Sequence, residues 1–457
     1  MLIREIESES KIGNWDQGQG PMQVLQTAIA EASGKDLTPI RIVLNEEKGI
    51  VRSEIGVLCD SERRRGHSIG DYRQRGDVNS SEFNAVMVLP TGIGAELGGH
   101  AGDACPVARL LAQACDKLVL HPNVVNASDL NELPENSLYV EGSVLARLMM
   151  GTAGLSPVRS NRILLVIDAH KDSIFVDAAI NAANAARSSI GIDIVEVVTL
   201  DPPVRMRARF TNSGRAAGRV EELEYLCKVL DERAGSYDAI ALSSVIDVPH
   251  EFHKEYFDAH GSMVNPWGGI EAIFTHCISS LYNLPSAHSP MFENREVANM
   301  DVGMVDPRMA AEAVSMTFLN CILKGLHKSP RIVTDINEMR QAHVLSAEDV
   351  SVLIQPDGCL GIPTIAALEQ GIAVIAVREN ATILKNDLSV LPWAPGQLHI
   401  VENYWEAAGL MLAMRAGILP AATRRPLEGV PVTPEQLGGV AAVTDDEASA
   451  VDFISNE

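Results

Sequence analysis

From residue 84 onward, short apolar runs alternate with stretches of helical spacing, and this alternation constrains the fold more than any other feature. The apolar runs include AVMVLP, RILLVIDAH and IAVIAVREN, each of a length typical of a buried strand. Helices are predicted between such runs at 106–116, 173–188, 217–232, 269–282, 308–326, 362–370 and 404–416. The pattern predicts an α/β fold with doubly wound, mostly parallel sheets and helices on both faces.

Changes in composition divide the chain into four segments. Residues 1–84 combine a helical stretch, a strand-like run and a polar loop, so we interpret them as an appended N-terminal region. Two Rossmann-like lobes are predicted to follow, a main domain over 85–330 and a C-terminal lobe over 331–425. The acidic tail at 426–457 is predicted to be loosely ordered.

Charge and cysteine content restrict the class of protein. A formal net charge of −23 argues against binding to nucleic acid or to an anionic membrane surface. The seven cysteines include no CxxC pair, which favours reduced thiols in a cytoplasmic protein. The start of the chain, MLIREIESESK, lacks an apolar signal core, and no apolar run approaches the roughly 20 residues that span a bilayer. A homo-oligomer is compatible with these features.

The glycine-rich stretch PTGIGAELGGHAGDACP, residues 90–106, lies between a predicted strand and a predicted helix. It is not a dinucleotide fingerprint, because position 97 is leucine, and no Gly-Lys-Ser/Thr follows as in a P-loop. Backbone N–H groups gathered at a helix start can bind a carboxylate, phosphate or oxyanion, whereas a purely structural turn is the alternative. The predicted substrate-binding residues of this turn are Thr91, Gly92, Gly94, Gly98 and Gly99.

Two similar segments each place a cysteine at the start of a predicted helix. Asp103-Ala-Cys105 precedes a helix, a strand and Asn123, and Asp357-Gly-Cys359 precedes a helix, a strand and Asn380. A helix N-terminus stabilises a thiolate, so two such cysteines facing one pocket would suit proton abstraction and return. The alternative is that each cysteine is a small buried apolar residue.

Histidines and arginines supply the remaining candidates. His121 and His288 follow predicted strands, where a general acid or base is expected in an open α/β sheet. His250 and His253 have a weaker, metal-like spacing. Arg205 and Arg207 share one face if 204–210 is extended, and with Arg215, beyond a TNSG helix start capped by Ser213, they predict a patch that recognises an anion.

Several long blocks resemble a known family. PTGIGAELGGHAGDACPVARLLAQACDKLVLHPNVVNA, GGIEAIFTHCISSLYNLPSAHSP and GIAVIAVREN are similar to an uncharacterised family of cyanobacteria and plants, domain-of-unknown-function family 3326, over about residues 84–415. The resemblance implies no reaction. It directs attention to particular positions beyond those named so far, which are Asn126, Glu141, Glu271, His276 and Glu379.

These observations predict a metabolic enzyme acting on a small anionic or amide-bearing molecule. The first hypothesis is hydrolysis of a C–N bond, with Cys359 as nucleophile, His121 or His288 as base, and Cys105 and Asp103 nearby. Asn123, Asn126, Glu379 and Asn380 are further substrate-binding candidates. The alternatives are a cofactor-independent isomerase or racemase using both cysteines, a metal-dependent hydrolase or lyase, and a ligand-binding protein without catalysis. No cofactor and no metal ligands are predicted, and a divalent metal enters only through the third hypothesis.

Overall fold

The computed structural model describes residues 1–10, 20–34, 36–47, 50–60, 66–126, 133–315 and 317–433, and the chain has a mixed α/β fold. Most of the predicted acidic tail, from 434 onward, lies outside the described residues. The strands are β1 (Leu2–Ser10), β2 (Leu37–Glu47), β3 (Ile50–Cys59), β4 (Asn84–Met87), β5 (Lys117–Leu120), β6 (Ser137–Tyr139), β7 (Gly154–Ser156), β8 (Ile163–Asp168), β9 (Ile194–Leu200), β10 (Arg205–Phe210), β11 (Ala216–Glu221), β12 (Ala239–Asp247), β13 (Ser286–Met291), β14 (Arg331–Val333), β15 (Val350–Pro356), β16 (Ala373–Val377) and β17 (Leu398–Val401).

The helices range from single turns to a 17-residue helix. They are α1 (Pro21–Ala32), α2 (Cys105–Ala112), α3 (Pro122–Val125), α4 (Gly142–Met149), α5 (Ser173–Ser189), α6 (Leu223–Glu232), α7 (His250–Asp258), α8 (Gly268–Tyr282), α9 (Arg295–Ala298), α10 (Ala310–Ala313), α11 (Leu319–His327), α12 (Ile336–Met339), α13 (Ile362–Gln370) and α14 (Tyr404–Arg415).

One sheet is six-stranded and parallel throughout, in the order β17-β16-β15-β4-β5-β6. The chain adds β5 and β6 on one side of β4 and later adds β15, β16 and β17 on the other. The strand order therefore reverses between β4 and β15, and ligands of open α/β sheets bind beside such a reversal, at the carboxyl ends of the strands.

The second sheet is nine-stranded and mixed. It runs β2-β3-β1-β11-β10-β12-β8-β9, and β13 pairs with β12. Strands β8, β9, β12 and β13 are parallel, whereas β1, β2, β3, β10 and β11 pair antiparallel with one another. The N-terminal region that we interpreted as appended therefore supplies three strands to this sheet. A separate two-stranded antiparallel pair joins β7 and β14.

A continuous apolar core lies between the two large sheets. It includes Leu120 of β5, Ile167 of β8 and Ile354 of β15, none of which is exposed to solvent. Burying side chains from both sheets in one core fixes the carboxyl ends of their strands relative to each other. That arrangement is what positions the residues of the site.

The predicted helices have mixed outcomes. The helix at 362–370 is confirmed, because α13 has the same bounds. The helix at 217–232 is wrong in its first part, since residues 216–221 form β11, and the TNSG segment makes the turn of a β10–β11 hairpin rather than a helix start. The helix at 308–326 is interrupted, with α11 beginning only at Leu319. The extended conformation predicted for 204–210 is confirmed by β10.

Helix α8 lies unusually close to the backbone of β11. A Cβ atom on Gly269 would be 2.0 Å from the Ala216 carbonyl oxygen, so a side chain has no room there. The Ala216 N–H also donates to the Gly92 carbonyl oxygen at 2.9 Å, and Gly92 has a positive φ of 78°. The glycine-rich turn, β11 and the first turn of α8 thus meet backbone to backbone, where only glycine satisfies the geometry.

Candidate active site

A cavity of about 340 Å³, which we call the large cavity, opens where the ends of β4, β5, β6, β12 and β13 meet α8. Among the lining residues that the structure describes there is no lysine or arginine, although several side chains are ionisable. The ionisable residues that share this wall, apart from Cys321, are His100, His121, Glu141, His253, Glu271, His276, His288, Glu293 and Glu312. The cavity is therefore rich in imidazole and carboxylate groups.

His276 and Glu141 form the most completely supported pair in the large cavity. The Nδ1 atom of His276 is in short contact with Oε1 of Glu141, an ion-pair geometry in which the ring N–H donates to the carboxylate. No described residue makes a hydrogen bond to Nε2 of His276, and the side chain is 15% exposed. When the ring is neutral and donates through Nδ1, its lone pair lies on Nε2, so His276 in this form can accept a proton.

Glu141 is buried and held by several donors. It is the residue that caps the N-terminus of α4, and it accepts the Ser143 N–H at 2.9 Å as well as the Ser143 hydroxyl. The Thr275 hydroxyl donates to Oε1 at 3.3 Å. Burial opposes ionisation, yet the His276 charge and these hydrogen bonds together lower the pKa of Glu141 below its usual value. The carboxylate is therefore charged and fixed, and it orients the His276 ring.

A second carboxylate–histidine pair joins α8 to β13. Nδ1 of His288 is 2.9 Å from Oε1 of Glu271, in the first turn of α8, and Nε2 of His288 is 2.7 Å from the Ser244 hydroxyl. The His288 side chain is wholly buried, whereas 26% of the Glu271 side chain is exposed. The polar group that reaches the cavity from this chain of hydrogen bonds is therefore Glu271, and His288 and Ser244 position it.

His121 behaves differently from the general base that we predicted. Its Nε2 accepts the Leu89 N–H at 3.0 Å, so the acceptor nitrogen is occupied and Nδ1 carries the ring proton. Burial, reinforced by the charges of His276 and Arg41, lowers the pKa of His121 to about 4. In this arrangement His121 is a neutral hydrogen-bond donor that lines the cavity beside His276.

His100 and Ala101 of the glycine-rich turn and Glu312 of α10 line another part of the cavity, and Tyr256 of α7 joins His100 to Glu312. Tyr256 Oη lies 2.6 Å from Nδ1 of His100 and donates to Oε1 of Glu312 at 3.2 Å, while the Ala101 N–H donates to the same carboxylate at 2.6 Å. Burial raises the pKa of Glu312 to about 7 and lowers that of His100 to about 4. The Glu312 carboxyl group and the His100 imidazole are therefore neutral over a wider pH range than solvent-exposed groups of the same type.

The glycine-rich turn reaches the large cavity with only part of its length. Thr91, Gly92 and Gly99 line it, whereas Gly94 and Gly98 do not. The turn does bind carboxylates, but they are the protein's own. The Gly98 N–H donates to Asp103 at 2.9 Å, in addition to the Ala101 contact with Glu312 already described. The predicted anion-binding amides are thus partly occupied from within the chain.

Asn123 and Asn126 also line the cavity, as the strand-end pattern predicts. The Asn123 amide donates to the carbonyl oxygens of Leu89 and Gly98, each at 2.8 Å, so its nitrogen holds the turn in place. Asn126 Oδ1 accepts the Tyr139 hydroxyl at 3.0 Å. Within the described chain, Oδ1 of Asn123 and Nδ2 of Asn126 have no hydrogen bond, which leaves one acceptor and one donor for a ligand.

The two predicted catalytic cysteines do not meet. Cys105 is buried in the apolar core, where its thiol lies 3.4 Å from the Val125 carbonyl oxygen, and it is not among the residues lining the large cavity. Cys359 packs with Val43 and Leu384, and burial raises the pKa of its thiol to about 12. Both positions match the alternative interpretation, in which cysteine is a small buried residue.

The predicted arginine patch is divided between two faces of the hairpin. Arg205 pairs with Glu222 at 3.0 Å and Arg207 with Asp247 at 3.3 Å, both on the surface. Arg215 is fully buried and forms ion pairs with Glu5 and with Glu54. None of these guanidinium groups lines the large cavity.

Three other predicted site residues have structural contacts outside the cavity. Asn380 is fully buried, accepts the Leu97 N–H at 2.9 Å and donates to the Tyr404 hydroxyl at 2.7 Å. Glu379 accepts the Tyr404 N–H at 3.1 Å. Asp103 holds the glycine-rich turn, and burial raises its pKa to about 7. These residues join the turn to α14 and stabilise its shape.

A smaller cavity of about 120 Å³, the small cavity, lies on the other side of His276. Five residues line both cavities, namely Thr91, His121, Gly142, Ala272 and His276. The rest of its wall is mainly apolar and includes Ile42, Val43 and Leu145, together with Cys359. Cys359 is therefore a wall residue of the small cavity, near His121 but apart from His288.

The local sequence pattern does not predict the pairing of His276 with Glu141. His276 was marked only by the family resemblance, because it lies in the middle of a helix rather than at a strand end. The signal that could have found it is the presence of Glu271, Thr275 and His276 in GGIEAIFTHC, a segment of α8 that is otherwise apolar. Within the described ranges, no group of three or more histidine, cysteine, aspartate or glutamate residues is arranged to hold a metal ion.

The fold and this cavity define an α/β protein with a pocket rich in acid–base groups. The chain belongs to the family described as protein of unknown function (DUF3326), whose model matches residues 84–424, so the predicted resemblance is confirmed. It is similar to an uncharacterized lipoprotein of Synechococcus sp. (strain ATCC 27144 / PCC 6301 / SAUG 1402/1), with 33% identity over 343 residues, 74% of this chain and 93% of the relative. No solved structure matches the chain. In the described part of the chain, every helix is too short or too polar to cross a bilayer.

Proposed function

We propose that this protein is an enzyme that acts on a small molecule in the large cavity by general acid–base catalysis, with His276 as the proton acceptor. The observation that carries the proposal is the His276–Glu141 pair, in which a buried carboxylate contacts Nδ1 of a histidine that lines the cavity and whose Nε2 has no hydrogen-bond partner among the described residues. A carboxylate that fixes the tautomer and stabilises the imidazolium is a recurring feature of histidine bases.

The reaction that we favour is hydrolysis of a C–N bond with water as the nucleophile. Nε2 of His276 takes a proton from water, the water oxygen bonds to the carbon, and the C–N bond breaks as the leaving nitrogen gains a proton. Glu271, on the same helix as His276, supplies the second acid–base group. Its carboxylate is positioned by His288, which in turn contacts the Ser244 hydroxyl. This replaces the cysteine nucleophile of our first hypothesis, because the high pKa and burial of Cys359 disfavour a thiolate.

The electrostatics of the cavity support a neutral or cationic substrate rather than an anionic one. The lining carboxylates have no lysine or arginine partner in the described wall. Asn123 Oδ1 and Asn126 Nδ2 form an acceptor and donor suited to an amide group. Of the two substrate types predicted from the sequence, anionic and amide-bearing, we therefore retain the amide-bearing one.

Cofactor-independent isomerisation is a second candidate, and the observation that favours it is the presence of two acid–base groups from α8, His276 and Glu271, in the wall of one cavity. In this reaction one group removes a proton from carbon and the other returns it. Solvent deuterium distinguishes the two reactions, because isomerisation incorporates it at carbon whereas hydrolysis releases an amine.

The proposal is tested with matched sets of primary amides, amines and carboxylates that share a carbon skeleton. We expect amides and amines to raise the melting temperature more than the carboxylates, and at least one amide to release its amine. Binding without turnover would indicate a ligand-binding protein instead, and the absence of any stabilisation would refute a small-molecule site.

Two broader predictions remain proposals. The doubly wound arrangement in two Rossmann-like lobes is supported by the strand-order reversal between β4 and β15. A cytoplasmic location is supported by seven free thiols, whereas the cyanobacterial relative is named a lipoprotein. Cell fractionation decides between cytoplasm and membrane.

A further inference from the structure

The wall that carries His276 separates the large cavity from the small one. His276 and His121 border both spaces, and so does Gly142, where a Cβ atom would lie 2.9 Å from Cε1 of His276. Because Gly142 has no side chain, the His276 imidazole can occupy the space between the two cavities. A molecule reacting at Nε2 of His276 is therefore within reach of the small cavity.

Several polar groups at the edge of the small cavity are hydrogen-bonded within the protein. Gln355 donates to the Cys359 carbonyl oxygen at 2.9 Å and accepts the Thr364 hydroxyl at 2.8 Å. The Arg41 guanidinium donates to the carbonyl oxygens of Thr91 and Gly269 at 2.8 and 3.2 Å. The Gln355 amide and two N–H groups of Arg41 are therefore already hydrogen-bonded, and an alkyl group needs no polar partner in a wall that is otherwise mainly apolar.

The size of the small cavity limits its occupant. At about 120 Å³ it is smaller than the roughly 150 Å³ apolar cavity that is known to hold benzene in another protein. A branched or linear alkyl group of about four or five carbons fits this volume. The buried thiol of Cys359 adds a small apolar surface to the wall.

We propose that the small cavity binds an alkyl substituent of the substrate while the substrate's polar, reacting part lies in the large cavity. This inference rests on the proposed function, because it places the reacting atom beside His276. It assigns to Ile42, Val43 and Leu145 the recognition of chain length, and to Cys359 a place in a binding wall rather than in chemistry.

The test is the affinity of a series of linear primary amides from acetamide to octanamide, measured by calorimetry on the full chain. We expect affinity to rise about fourfold per methylene until the small cavity is full, and then to level off or fall. In Ala146→Leu, which fills the small cavity, this dependence on chain length should disappear. In Ala298→Leu, which narrows only the large cavity, it should persist.

A second variant keeps the inference testable if Ala146→Leu does not fold. Ile69→Val enlarges the small cavity and should move the limit to a longer chain. Affinity that does not depend on chain length, including no binding at any length, overturns the inference, and so does an unchanged length dependence in Ala146→Leu. Length-dependent binding without turnover would refute only the catalytic proposal, whereas turnover without length dependence would refute only the small-cavity inference.

Discussion

The Nδ1 atom of His276 contacts the carboxylate of Glu141, although the two residues are 135 positions apart in the chain. Glu141 is placed by the end of β6 and the start of α4, and His276 by the middle of α8. Parallel strand ends from one sheet and a helix packed on the other sheet are thus needed to assemble a single acid–base pair. The proposed acid–base catalysis depends on this contact.

Replacing the Glu141 carboxylate should impair catalysis more than binding. Glu141→Gln removes the charge that stabilises the His276 imidazolium, so we expect kcat on an amide substrate to fall about 10- to 100-fold with little change in KM. Glu232→Gln, on the surface beside Lys228, is the control and should leave both constants unchanged. A rise in KM at constant kcat would instead indicate that Glu141 serves binding.

The buried arginine and its surface neighbours should differ in their contribution to stability. Arg215→Met removes the ion-pair partner of the buried Glu5 and Glu54 carboxylates, and we expect the free energy of unfolding to fall by about 3–5 kcal/mol. Arg207→Ala removes an exposed pair with Asp247 and should cost less than about 1 kcal/mol. Urea unfolding of the two variants measures the difference, and equal losses would contradict the burial of Arg215.

Asp103 should make stability depend on pH. Burial raises its pKa from 3.8 to about 7, so the folded protein keeps a proton that the unfolded chain has released over this interval. Relative to Asp103→Asn, the free energy of unfolding of the wild type should therefore fall with rising pH, by up to about 1.4 kcal/mol per pH unit, and level off above about pH 7.

The measurement for Asp103 is urea unfolding at several pH values between 4 and 8, in about one-unit steps. Asp177→Asn, on the exposed face of α5, is the control and should parallel the wild type. A difference between wild type and Asp103→Asn that is independent of pH would show that Asp103 is ionised throughout.

Thiol reactivity should follow burial. Cys59 is partly exposed and should react with iodoacetamide in the folded protein faster than Cys105 or Cys359, which are buried. The raised pKa of Cys359 further reduces its thiolate fraction. Mass spectrometry of tryptic peptides measures each rate, and denatured protein is the control in which all three should react alike. Fast labelling of Cys359 in folded protein would restore it as a candidate nucleophile.

Sequence periodicity predicted much of the parallel scaffold because strands buried on both faces are apolar throughout. The run around residues 350–377 shows this, since β15, α13 and β16 follow the predicted order. The hairpin of β10 and β11 was missed in part, because AAGRVEELEYL has helical composition. Pairing of β11 with β10 and β1, and the close approach of α8 at Gly218, outweigh that local preference.

The site was less predictable than the scaffold. The expectation that strand ends gather polar residues correctly placed His121, Asn123 and His288 at the cavity. The same reasoning made Cys359 a candidate nucleophile, but its thiol is buried, and a helix start favours a thiolate only where solvent or a cation can stabilise it. His276 depends on contacts between distant elements, and local sequence does not contain them.

The most direct test of the central claim is the turnover of the best amide substrate by His276→Asn, beside wild type and the exposed control His343→Asn. We expect His276→Asn to keep its fold and to bind the amide within a few-fold of wild type, while kcat falls about 10²- to 10⁴-fold and the control stays unchanged. Turnover by folded His276→Asn at close to the wild-type rate would contradict the claim.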